Sequence, residues 1–101
     1  KRENLMTKTN RLLTKSEIDS ILRDHQNWCY KKSFSREINF KSYTESISFI
    51  NKIAKEAEKI NHHPDMEVGW CNIKIYFSTH DLNGVSLLDQ KMVKITDKII
   101  G

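Results

Sequence analysis

The sequence predicts an α+β domain in which a four-stranded antiparallel sheet carries three helices on one face, in the order αββαββα. Three observations predict it. Apolar residues recur at helical spacing in three segments and alternate residue by residue in the two stretches between them. Helix-start signatures stand before the first and last helical segments, at Thr14-Lys-Ser-Glu17 and Ser86-Leu-Leu-Asp89. The length of 101 residues, with 38% hydrophobic and 30% charged residues, one proline and three glycines, suits a single compact domain over 1–101. Within it, about the first twelve residues are expected to be flexible.

The first helix is expected from about Lys15 to about His25, because Thr14 and Glu17 can each satisfy a free amide at its start and Ile18, Ile21, Leu22 and His25 follow at helical spacing. Trp28, Tyr30, Phe34, Ile38 and Phe40 then fall at even separations, with Ser33 and Ser35-Arg36 breaking the run, which reads as a hairpin. From Ser42, the residues Tyr43, Ile47, Ile50, Ala54 and Ala57 outline a long helix, widened by Phe49, Ile53 and Ile60 and ending near Asn61. Pro64 stops it by disfavouring helical geometry at His63.

Met66 and Val68 lead into Gly69-Trp70-Cys71-Asn72, after which Ile73, Ile75 and Phe77 alternate with Lys74, Tyr76 and Ser78, giving a second hairpin. His80 lies just past it, Asn83-Gly84 makes a turn, and Leu88, Met92, Ile95 and Ile99 outline the last helix. Strands with one apolar face need a cover, and three amphipathic helices supply it from a single side. The opposite sheet face or a free strand edge is left for another subunit.

Composition narrows the function classes. No apolar run approaches the ~20 residues needed to span a bilayer, and the opening Lys1-Arg-Glu-Asn-Leu-Met-Thr-Lys8 lacks the apolar run of a signal peptide. Cys29 and Cys71 form no spaced framework, so both are expected as thiols and the compartment as cytoplasmic. The net charge of +4 is spread among alternating lysines and acids without a basic block, which argues against direct nucleic-acid binding.

Three of the four histidines gather around one turn: His62 and His63 at a helix end, and His80 at a strand end. Histidine both gives and takes protons near neutral pH, so this group with Glu58 and Asp89 nearby points to proton transfer. Glu58 precedes His62 by four residues, a spacing that lets the two meet on one helix face. Plainer readings stand beside these: His62-His63-Pro64 as a polar helix stop, Asp89 as a helix cap at the third position after Ser86, and Trp70 as packing beside a hairpin turn. Zinc is disfavoured because adjacent histidines rarely face one centre and no Cys pair or His-x-x-x-His spacing accompanies them.

Glu58-x-x-x-His62-His63-Pro64, five residues, Trp70, nine residues, His80, eight residues and Asp89 resembles the signature of the pterin-4a-carbinolamine dehydratase family. The resemblance runs from Leu13-Thr14 and Trp28 through Phe34, Phe40, Phe49 and Ala57 to Thr79-His80-Asp81, Gly84, Ser86 and Asp89, about 90 residues. It implies the fold inferred above and the dehydration of 4a-hydroxytetrahydropterin to quinonoid dihydropterin in tetrahydrobiopterin recycling. The pterin is the substrate, and no metal or other cofactor is implied.

Carried over, His62 and His80 would be the acid and base, and His63 would orient the pterin. Glu58 would bond its polar edge or tune a histidine, Trp70 would shape the flat pocket, and Pro64, Thr79 and Asp81 would line it. Asp89 would support the site from the last helix. The resemblance further implies a homo-dimer or homo-tetramer. It also raises a competing role seen in some members, stabilising dimers of a homeodomain transcription factor, which would add a protein partner and a nuclear location.

Overall fold

The computed structural model describes residues 10–101. Helix α1 (Lys15–Asp24) is followed by strands β1 (Cys29–Lys31) and β2 (Ser33–Asn39) and by the long helix α2 (Tyr43–Ile60). Strands β3 (Asp65–Val68) and β4 (Asn72–Phe77), a 3-10 turn at His80–Leu82 and helix α3 (Leu87–Ile100) complete the chain. The sheet order is β1-β2-β4-β3, and every neighbouring pair is antiparallel. Helix α2 thus carries the chain across β4's place to the far edge, and β4 returns to the centre beside β2.

One face of the sheet is buried. Ile73, Ile75 and Phe77 of β4 and Phe34 and Ile38 of β2 point inward, while Asn72, Lys74 and Tyr76 alternate with them on the other face. Ile18 and Ile21 from α1, Phe49, Ile53 and Ala57 from α2, and Met92 and Val93 from α3 join those residues in one core cluster. Both expected caps are present: Thr14 accepts from the Glu17 amide, and the Ser86 amide donates to Asp89 at 2.7 Å. Among the described residues no helix is long and apolar enough to cross a membrane.

The first hairpin turns elsewhere than expected. Ser35 and Arg36 do not break it; they lie inside β2, opposite Tyr76 and Ile75 of β4. The chain reverses at Lys32 alone, in the left-handed region at φ 72°. Arg36 can occupy an inward strand position because Asp97 of α3 neutralises its guanidinium. The same carboxylate takes the Trp28 indole N–H at 2.8 Å and holds His25 Nδ1 at 2.6 Å, closing one end of the core.

Asn10 to Leu12, within the stretch expected to be flexible, are held against the start of α3. Leu12 bridges Ser86, the Leu87 amide donates to the Arg11 carbonyl, and the Leu88 amide donates to the Asn10 side chain. Residues 1–9 lie outside the described residues.

Candidate functional site

The histidines owe their positions to how α2 ends. The His62 amide donates to the Ala57 carbonyl at 3.0 Å and the Asn61 amide to that of Glu58 at 3.4 Å, with Asn61 left-handed at φ 51°. This is the Schellman closure, and asparagine fills the place more often held by glycine because its short polar side chain tolerates that geometry. The kink swings the next residues off the helical track. Glu58 therefore does not meet His62, as four-residue spacing suggests; its Oε2 lies 2.6 Å from Nε2 of His63, at the helix end.

His62 turns inward instead and meets α3. Its Nε2 lies 2.6 Å from Asp89 Oδ1, and the Asp89 side chain is fully buried. The other oxygen, Oδ2, accepts from the Thr79 hydroxyl at 2.6 Å, the Ser86 amide at 2.7 Å and the Ser86 hydroxyl at 3.2 Å. Asp89 is accordingly both the helix cap and the anchor of a histidine. A carboxylate accepting on every side fixes the His62 tautomer: Nε2 carries the hydrogen, and Nδ1 is left for other chemistry.

His80 is presented by a closed loop. Thr79 and Gly84 pair across it, with Thr79 N donating to Gly84 O at 2.7 Å, and Asn83 takes the left-handed turn at φ 56°. Among the described residues the His80 ring makes no hydrogen bond, and it is exposed. Thr79 touches Asp89, so one carboxylate holds the loop base and His62 together.

An open cleft of about 350 Å³ lies between the end of α2 and this loop, rimmed by His62, His63, Pro64, Thr79, His80 and Asp81. Glu58 borders it through His63, and Asp89 lies beneath it through His62. Asn61, Asp65 and Ser78 also face it and were not singled out from sequence. The Asn61-to-Pro64 spacing was the available signal for the first, whereas Ser78 follows from strand register alone.

Trp70 stands apart. It is 79% exposed in the loop beyond Val68, at the end of the β3–β4 hairpin opposite the histidines, which precede Asp65. In the single chain it does not line the cleft, because the strand pairing of Asp65 to Val68 with β4 separates them. Among the described residues no three His, Cys, Asp or Glu side chains are grouped as metal ligands.

Comparison with known proteins shows the family of the chain. The family model for pterin 4 alpha carbinolamine dehydratase matches residues 11–99. A provisionally named pterin-4-alpha-carbinolamine dehydratase of Prochlorococcus marinus (strain NATL2A) is 33% identical over 90 residues, covering 88% of this chain and 95% of that protein. One of Rhodospirillum rubrum is 33% identical over 87 residues, covering 83% and 91%. Among solved structures, the transcriptional coactivator/pterin dehydratase of Brucella melitensis superposes with a TM-score of 0.86 at 31% identity, over 90% of this chain and all, 100%, of that one. A pterin dehydratase-like RuBisCO assembly factor of the alpha-carboxysome shares the fold, with a TM-score of 0.61 at 18% identity over 73% and 87% of the two chains. With its family match spanning nearly the whole chain and its histidine cleft built from the matched residues, the chain belongs to the pterin-4-alpha-carbinolamine dehydratase family.

Proposed function

We propose that this chain is a hydro-lyase that dehydrates 4a-hydroxytetrahydropterin to quinonoid dihydropterin, serving tetrahydrobiopterin recycling in the cytoplasm. The observation that carries the reading is the cleft itself. Three imidazoles rim it, two of them with Nε2 committed to separate carboxylates at 2.6 Å, so that their Nδ1 atoms are available in fixed orientations.

The reaction needs two proton transfers. One imidazole takes the N5 proton, the electron pair of that bond forms the C4a=N5 double bond, and the C4a–O bond breaks as a second imidazole protonates the leaving oxygen to water. His62 and His80 supply this pair from opposite sides of the cleft, and each contributes about 10²- to 10⁴-fold in rate. His63, braced by Glu58, orients the bicycle, whose N3–H and 2-amino donors suit the Asp65 and Asp81 carboxylates. The pterin is the substrate, and no further cofactor takes part.

A second reading rests on Trp70 and Val68, exposed by 79% and 49% at the hairpin end away from the cleft. That surface suits a protein partner or another copy of the chain in a dimer or tetramer, and a role as partner of a transcription factor would extend its location to the nucleus. The decisive measurement is the decay of enzymatically generated 4a-hydroxytetrahydropterin, followed by ultraviolet absorbance, with wild type and folded His80→Ala. Acceleration largely lost in the variant supports the dehydratase. No acceleration by folded wild type overturns it and leaves the partner role first.

A further inference from the structure

A second cleft, of about 370 Å³, lies on the other side of His80. It shares Ser78, Thr79 and His80 with the first and continues to Tyr30, Lys32 and Asn83. The two clefts flank the His80 loop, which forms part of the wall of each. Their charges differ: among the described residues, the first contains Asp65 and Asp81, whereas the second contains Lys32 and no carboxylate.

Lys32 is the single residue that reverses the chain between β1 and β2, and it does so at φ 72°, a conformation that lysine adopts with strain and that glycine or asparagine would adopt easily. Neither its ammonium nor the Tyr30 hydroxyl has a hydrogen-bond or ion-pair partner among the described residues, and both are exposed at the cleft wall. A cation in this position, on a one-residue turn beside the cleft, fits a ligand group rather than the fold.

We propose that this second cleft is a subsite for the substituent at C6 of the pterin, and that Lys32, with the Tyr30 hydroxyl, selects substituents bearing an anionic oxygen group, phosphate or carboxylate. The inference rests on the dehydratase reading for its orientation. With the N3–H and 2-amino edge at the carboxylate end and N5 and C4a at the histidines, C6, which adjoins N5, points past His80 toward Lys32. A terminal anion there meets the Lys32 ammonium at the wall of the second cleft.

The test is equilibrium binding of stable 7,8-dihydropterins carrying a 6-hydroxymethyl, a 6-phosphooxymethyl or a benzoylglutamate substituent, measured by calorimetry at low salt. Wild type should bind one or both anionic ligands about three- to tenfold more tightly than the neutral one, a preference that shrinks as salt is raised. Which of the two gains tells phosphate from carboxylate as the natural group. Lys32→Asn, which keeps the turn geometry, should abolish the preference while leaving hydroxymethyl binding unchanged, and Lys32→Arg should keep it. Equal binding of all three ligands, or a preference that survives Lys32→Asn, overturns the subsite. An anion preference that depends on Lys32 in a protein that accelerates no dehydration overturns the dehydratase reading and leaves the subsite standing.

Discussion

Nε2 of His62 lies 2.6 Å from Oδ1 of Asp89, joining the end of α2 to the start of α3 across 27 residues of sequence. The carboxylate that orients this imidazole is the same one that caps α3 and anchors Thr79, so the site and the fold share a buried charge. Substitution there should affect both.

Asp89→Asn retains the size of the side chain but presents an amide to a ring that needs an acceptor. Dehydration should fall about 10²- to 10⁴-fold through loss of the His62 tautomer and orientation. Asp89→Ala should in addition cost about 2–4 kcal/mol in urea unfolding, the sum of a lost cap and buried donors left unpaired. A normal rate in folded Asp89→Asn would exclude the orienting role.

Glu58→Gln is expected to be mild. Its bond to His63 is exposed, and exposed pairs contribute about 0–1 kcal/mol, so stability should hold within about 0.5 kcal/mol. The effect should appear as a higher KM, with kcat nearly unchanged, if Glu58 and His63 position the pterin rather than transfer protons.

Asp97→Ala should destabilise the fold by about 3–5 kcal/mol, because it leaves Arg36 at an inward strand position with an uncompensated charge and the Trp28 N–H without its acceptor. This cluster is separate from the histidine cleft, so the folded fraction of the variant should dehydrate the substrate at the wild-type rate. Urea unfolding alongside a rate normalised to folded protein checks both halves.

The Arg11–Glu17 pair gives a pH prediction at the start of α1. The Arg11 guanidinium and then the Thr14 amide, both hydrogen-bonded to Glu17, lower its carboxyl to about 2. Because the folded value lies below the ordinary one, the stabilisation is fully present above about pH 4.5 and is lost as the pH falls through about 2. Glu17→Gln should therefore be less stable than wild type at pH 7, with the difference disappearing toward pH 2 in parallel urea titrations.

Trp70→Ala should leave both stability, within about 0.5 kcal/mol, and the rate of the single chain unchanged, since the side chain is largely exposed and away from the cleft. Sedimentation of the variant tests whether its loss weakens association between copies.

Local patterns were enough to read the element order, because caps, a proline stop and switches between periods of about 3.6 and 2 act within a few residues. The alternation of Ile73, Ile75 and Phe77 specified which face of β4 is buried, and Thr14 and Ser86 marked two helix starts. The first hairpin was misread at Arg36 because a charged residue at an inward position looks like a turn until its partner, 61 residues away, is known.

The sequence by itself determined the α+β class, the places of His62 and His63 at a helix end and of His80 just past a strand, and the dual candidacy of Asp89 as cap and site residue. Only the tertiary structure decided the pairings: Glu58 with His63, Asp89 with His62, Trp70 at the far end of its hairpin, and Lys32 across from the His80 loop. The reason is geometric. Spacing along a chain reports which side chains share a face of one element, but the left-handed residue Asn61 and the antiparallel register of β3 with β4 redirect those faces, and contacts between elements follow from packing.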